Sequence, residues 1–351
     1  MRFNLSTFDA QFSELAPLGW NDRRAADWRA NAGTDGAEPA RVARHDGSTL
    51  SVITATGSRV VRNSPHLDPQ PTVGDWLALA DEHVVRVLER TSLLRRMDAD
   101  GDRSQALAAN VDSVLITCGA DRPIRANRIH RSVAQAWDAG ATPLVVLTKS
   151  QTADVAEVDL PRLELEHPGV ELFATSALEG LGIEALREKI TGNTSVLLGE
   201  SGAGKSTLAN ALLGRNDATT GEVRSGDAKG RHTTTSRNLH ALPGGGVIID
   251  TPGIRSVGLF TDADAVNASF AEIGEIAQLC RFADCAHAGE PGCAVADAVA
   301  SGELDGARYD SWQQLQREVA SAARRADPRA AHDYARRFGR AAKEEQARKR
   351  R

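Results

Sequence analysis

Nine consecutive residues constrain this chain more than any other stretch: Gly199, Glu200, Ser201, Gly202, Ala203, Gly204, Lys205, Ser206 and Thr207. They fit the pattern G-x4-G-K-[ST], follow the apolar run 195–198 and open a helical segment over 205–213. A glycine-rich loop between a buried strand and a helix cradles phosphate, because its backbone N–H groups turn inward and the helix start adds its dipole. Lys205 is placed to neutralise β- and γ-phosphate charge, and the Ser206 hydroxyl to ligate Mg2+. The surrounding pattern agrees. Between 104 and 259, short apolar runs (111–118, 143–147, 170–174, 195–198, 247–250) alternate with helical periodicity at 129–137, 181–190 and 205–213. Such a series folds as a mostly parallel sheet covered on both faces.

Other nucleotide-binding elements sit around this loop in an unusual order. Asp250-Thr251-Pro252-Gly253 ends the last apolar strand, where a carboxylate provides a second Mg2+ position and Gly253 an N–H for the γ-phosphate. Between the two lies Gly230-Arg231-His232-Thr233-Thr234-Thr235, in which Thr234 is the candidate to close the Mg2+ shell. No base-reading element follows Asp250. One precedes the phosphate loop, at Thr148-Lys149-Ser150-Gln151, and a second base-contacting loop is expected at Thr175-Ser176-Ala177. The order base, base, phosphate, switch, switch is a circular permutation, which a domain tolerates when its ends move to exposed loops. The chain would then run from the second switch directly into its C-terminal part.

That part carries Cys280-x4-Cys285-x-His287-x5-Cys293. Three thiolates and an imidazole are a common tetrahedral zinc set, with no position left open for catalysis. Cys118, in an apolar strand, reads as a small core residue.

The 351 residues are too many for one domain. Residues 1–39 are expected as a loose N-terminal arm, in which Leu15, Leu18, Trp20 and Trp28 have the character to pack on a neighbour. Residues 40–97 hold four or five short strands split by turn signals, which suits a small β barrel of OB or SH3-like type. Residues 98–260 form the α/β nucleotide domain, 261–323 a mainly helical metal-binding domain, and 324–351 a basic tail. The tail has 11 Lys+Arg against 4 Asp+Glu, while the whole chain carries a net −5. A basic tail on an acidic body points to a polyanionic partner. No apolar run reaches the roughly 18 residues of a membrane span, and residues 1–18 lack the order of a signal peptide, so a cytoplasmic protein is expected.

Taken together these residues resemble the ribosome small-subunit-dependent GTPase A family, the circularly permuted GTPases. The resemblance spans about residues 40–300. It rests on Val73-Gly74-Asp75-Trp76, Ala109-Asn110-Val111-Asp112, the phosphate loop, 231–235, 250–255 and the run from Cys285 to Val295. It implies an OB-like barrel, a permuted G domain and a zinc domain. It also implies GTP hydrolysis to GDP with Mg2+, one structural Zn2+, and a role in late maturation of the small ribosomal subunit through its rRNA. A monomer is expected. The competing reading is a P-loop ATPase or other nucleotide hydrolase with RNA-binding modules.

Two positions depart from ordinary GTPase chemistry. Gln151 stands where an aspartate accepts hydrogen bonds from guanine N1–H and the 2-amino group; a glutamine NH2 is the wrong partner for the second. That weakens guanine preference by roughly 1–3 kcal/mol unless Asp154 substitutes. Ile254 follows the D-x-x-G, where many small GTPases carry a water-orienting Gln; Ile is normal in this family, and His232 is the candidate for the role.

Overall fold

The structure, a computed structural model, describes residues 10–31, 36–97, 104–151, 164, 167, 169–215, 237–250 and 263–326. The chain divides into two compact units, 1–95 with 106–257, and 96–105 with 258–351.

Among the described residues, the first unit is built on one eleven-stranded sheet. Its strands are β1 (Ala37–His45), β2 (Thr49–Thr54), β3 (Gly57–Arg62), β4 (Trp76–Ala80) and β5 (His83–Val87). After the ribbon of β6 (Leu93–Met97) and β7 (Ser104–Ala109) come β8 (Ser113–Gly119), β9 (Thr142–Thr148), β10 (Glu171–Ala174), β11 (Thr194–Gly199), β12 (Asn238–Ala241) and β13 (Val247–Asp250). β1 to β5 close on themselves: β1 pairs with β2 and β4, β2 with β3, β4 with β5, and β3 with β5 through Arg62 opposite His83. Residues of alternate parity point inward, so Ala40, Val42, Leu50, Val52, Val61, Leu77, Leu79 and Val87 share one core. A single pair, Arg44 opposite Asn238, continues this circuit into the second half of the sheet.

That half has the order β10-β9-β8-β11-β13, all parallel, with β12 antiparallel at the edge of β13. Strands β8, β9 and β11 are buried almost throughout, as expected for a parallel sheet with both faces covered. Leu115, Leu144, Val146, Leu197 and Ile248 meet Leu186, Leu208 and Leu212 from the helices. The strand and helix spans expected between 104 and 259 are present, each end within one to three residues of the expected one. The helix expected over 181–190 begins at Ile183, because Gly182 adopts a left-handed φ of 68° and interrupts it. The ribbon of β6 and β7, and the edge strand β12, carry no strong apolar run and were not foreseen.

Residues 10–31 are not a loose arm. Helical turns over Ala10–Leu18 and helix α1 (Asp22–Asn31) bury Phe12, Leu15, Leu18, Trp20 and Trp28. Trp20 meets Trp76 of β4 edge-to-face at 4.9 Å. The fully buried Arg41 guanidinium lies over Trp76, bonds the Leu18 carbonyl and donates to Thr194 Oγ1 at 2.7 Å. An aromatic cluster with a buried cation over one of its rings holds this segment to the unit.

Three helices complete the described nucleotide half: α2 (Ala126–Asp138), α3 (Ile183–Ile190) and α4 (Lys205–Leu212). The second unit is mainly helical, with α5 (Ala263–Ser269), α6 (Ala271–Ala277), α7 (Ala294–Ser301) and α8 (Gly306–Ala326). Its core is small: Val266, Phe270, Ile273, Val295, Ala298, Leu304 and Leu315, with buried Arg308 stacked on Phe270 and paired with Glu272. No helix among the described residues is long and apolar enough to cross a membrane.

Candidate functional site

In a parallel sheet the loops leaving the carboxyl ends of neighbouring strands share one crevice. Here those loops are 148–151 after β9, 175–177 after β10, 199–207 after β11, and Asp250 at the end of β13. Permuting the chain order leaves this edge intact, because the strand order and not the sequence order decides which loops are neighbours.

The phosphate loop is held by its carbonyls. Lys205 Nζ donates to the carbonyls of Gly199 (2.8 Å) and Glu200 (2.6 Å). The Arg122 guanidinium donates to those of Ser201 (3.4 Å) and Gly202 (3.2 Å). Lys149 Nζ adds a bond to Gly202 (2.9 Å), and the Thr148 hydroxyl donates to Ala203 (2.7 Å). Five consecutive carbonyls therefore face side-chain donors, and four of the five face a cation. That offsets the negative ends of the loop's peptide dipoles and leaves a site that favours an anion. The glycines are required by space. A Cβ on Gly199 would lie 2.3 Å from Thr117 Oγ1 and 2.4 Å from the Thr117 carbonyl; one on Gly204, at φ 80°, would lie 3.1 Å from Thr148 Oγ1. Ser206 and Thr207 occupy the first turn of α4, with Ser206 exposed. Burial pushes the Lys205 ammonium below the ordinary lysine range, and the Asp250 carboxylate pulls it back up.

The two loops expected to read the base are joined. Ser150 N–H donates to the Thr175 carbonyl at 3.0 Å, and the Thr175 hydroxyl to the Leu147 carbonyl at 3.0 Å. Ser176 is buried and its N–H bonds the Leu181 carbonyl; Ala177 packs on the hydrophobic core. Lys149, at φ 61°, is clamped between Gly202 and the Asp121 carboxylate (2.6 Å). That bond, with help from Arg122, holds the Asp121 carboxyl below the usual range. Gln151 Oε1 is buried without a hydrogen-bond partner among the described residues. His232, Thr234 and Gly253 lie outside the described residues.

Asp121, Arg122 and Arg128, which pairs with Glu200, escaped the sequence reading. Their signal was position alone: they follow the carboxyl end of β8, the strand between the base and phosphate strands.

In the second unit, Cys280, Cys285, His287 and Cys293 bring their ligand atoms within 4.8 Å of one another. His287 Nδ1 lies 3.5 Å from Cys280 Sγ and 3.7 Å from Cys293 Sγ. Desolvation opposes ionisation of Cys280, yet the Val295 and Ala294 N–H groups at the start of α7 hold its pKa below the ordinary thiol value. For Cys285 the His287 N–H favours the thiolate, but desolvation and the neighbouring Cys293 and Cys280 outweigh it and push the pKa up to about 12. Thiolates this crowded resist joint ionisation unless a cation sits among them, so the donor chemistry suits a metal ion. Supports the sequence reading missed surround the cluster. The Glu290 carboxylate accepts from Ala288 N (2.8 Å), Ala286 N (3.2 Å) and the Cys285 thiol (3.6 Å). Tyr309 and Gln313, one turn apart on α8, both bond the His287 carbonyl.

Fold and site together define a permuted P-loop nucleotide-binding protein with an appended Cys3His metal-binding module. Comparison with known proteins narrows this class. The RsgA GTPase family matches residues 87–260. The small ribosomal subunit biogenesis GTPase RsgA of Streptomyces coelicolor is 45% identical over 334 residues, covering 91% of this chain and 90% of that one. Its counterpart in Opitutus terrae is 43% identical over 342 residues, covering 90% and 92%. Among solved structures, YjeQ from Thermotoga maritima aligns with a TM-score of 0.62 at 25% identity, over 81% of this chain and 99% of its own. YloQ, described as a circularly permuted GTPase, shares the fold with a TM-score of 0.57 at 19% identity, over 82% and 97%. The chain belongs to the RsgA GTPase family.

Proposed function

We propose that this protein hydrolyses GTP to GDP and phosphate at the carboxyl edge of β9, β10, β11 and β13, and that it serves the biogenesis of the small ribosomal subunit. The observation that carries the chemistry is the phosphate loop with five consecutive carbonyls engaged by donors, beside two linked base loops. The subunit assignment rests on relatives named for that role over nine-tenths of this chain.

In this reading the N–H groups of Gly199, Glu200, Ser201, Gly202, Ala203 and Gly204 cradle the phosphates, and Lys205 neutralises charge on the β- and γ-oxygens. Ser206 and Asp250 hold Mg2+, which supplies further neutralisation of that charge when bound. Thr207 completes the first turn. Thr148, Lys149, Ser150 and Gln151 line the base with Ser176 and Ala177. His232 orients the attacking water, while Thr234 and Gly253 sense the γ-phosphate. Cys280, Cys285, His287 and Cys293 hold a structural zinc. Tetrahedral zinc separates sulfur from nitrogen by about 3.6 Å, and the distances of 3.5 and 3.7 Å fit that spacing. The closed five-stranded circuit is an OB-type barrel which, with the basic tail, contacts rRNA in the cytoplasm.

The test is turnover of GTP and of ATP, each with and without small ribosomal subunits, for the wild type and His232→Ala. The reading requires GTP to be preferred and its turnover to rise with subunits. In the variant the stimulated rate falls by ~10³ or more while subunit binding persists. Full stimulation of the variant moves the water-orienting role away from His232. ATP turned over as fast as GTP supports the rival reading, a P-loop ATPase, which Gln151 alone favours.

A further inference from the structure

Three of the four residues of the 148–151 loop are bonded inside the protein. Thr148 is spent on the Ala203 carbonyl, Lys149 on Asp121 and Gly202, and the Ser150 N–H on the Thr175 carbonyl. These bonds tie the loop to the phosphate loop on one side and to the 175–177 loop on the other. Gln151 Oε1 is left as a buried acceptor without a partner, on a loop that is otherwise fixed. A buried unsatisfied acceptor carries a desolvation cost, and that cost is recovered when a ligand N–H meets it.

We infer that Gln151 makes the base site indifferent to the 2-amino group of guanine, so that inosine nucleotides bind and are hydrolysed on a par with guanosine nucleotides. The inference rests on the reading of 148–151 as a base loop. Its chemistry is the donor pattern of the purine edge. Guanine shows two adjacent donors, N1–H and the 2-amino group. A carboxylate accepts from both. An amide has one acceptor oxygen, and its NH2 is itself a donor. Gln151 Oε1 therefore satisfies N1–H, while the 2-amino group gains nothing from Nε2. Hypoxanthine shows the same N1–H and only a C–H at position 2, so it gives Oε1 the same bond and presents no second donor to be matched. Adenine shows a bare nitrogen at position 1, which meets Oε1 lone pair to lone pair and is rejected. The selectivity predicted is for a protonated N1, with or without the 2-amino group.

The experiment measures kcat/KM for GTP, ITP and ATP with the full chain and with Gln151→Asp, alongside displacement of labelled GDP by IDP. For the wild type, GTP and ITP are expected within about threefold of each other and ATP well below both; Gln151→Asp is expected to favour GTP over ITP by about tenfold or more. A wild-type preference for GTP over ITP of tenfold or more overturns the inference and leaves the GTPase reading standing. ATP used as well as GTP and ITP overturns the base-loop reading itself. The wild-type ratio of GTP to ITP decides the inference even if the variant misfolds.

Discussion

In the phosphate loop, carbonyls from Gly199 to Ala203 are engaged by Lys205, Arg122, Lys149 and Thr148, all from the same unit. In the Cys/His cluster, three thiols and an imidazole converge, and desolvation with the neighbouring Cys293 and Cys280 pushes Cys285 up to about 12. The first site stands on a broad parallel sheet with a large buried core. The second stands on short helices around a handful of apolar residues. The difference teaches where each site's order comes from: the protein's own hydrogen bonds and packing shape the first, whereas the second gathers a donor set that could hold a metal ion.

The strongest way to break this comparison is to remove the metal. Structural zinc contributes roughly 10 kcal/mol or more in small metal modules. A chelator should therefore abolish hydrogen-exchange protection over 280–301 while GTP affinity changes by less than about twofold. Because the thiols and imidazole must be deprotonated to bind, metal affinity falls as pH falls, and mild acid should have the same effect. Loss of nucleotide binding along with the metal would show that the nucleotide site does depend on the cation.

Lys205→Ala probes the other side. Hydrolysis should fall by ~10²–10³ in kcat with little change in the thermal midpoint, read by single-turnover assay and calorimetry. Smaller again is Gly199→Ala, whose new Cβ meets the Thr117 hydroxyl and carbonyl. Overpacking of this kind costs about 1–3 kcal/mol, measurable by urea denaturation. An unchanged midpoint would mean that β8 and β11 yield more readily than a packed parallel sheet should. The smallest effect is expected for Arg122→Ala. Its bonds to Ser201 and Gly202 are long and its side chain is partly exposed. GDP affinity should drop by at most about threefold. A larger loss would make Arg122 a principal support of the loop.

The phosphate loop, the Asp250 strand end and the Cys3His spacing were legible because each is a local pattern: residue types at short fixed intervals dictate the backbone shape or the ligand set. The apolar runs of β8, β9 and β11 were legible for the same reason. What the sequence did not disclose lies at long separation. Arg122 reaches carbonyls about 80 residues away, Tyr309 supports His287 from helix α8, and Trp20 finds Trp76 to turn a supposedly loose arm into core. Gln151 stands between the two cases. Its identity was plain from the sequence, and with it the mismatch to guanine that the proposed base loop would carry. That its carbonyl oxygen is buried and unpartnered was decided only by the folded chain, because burial belongs to the neighbours that tertiary packing brings and not to the residue itself.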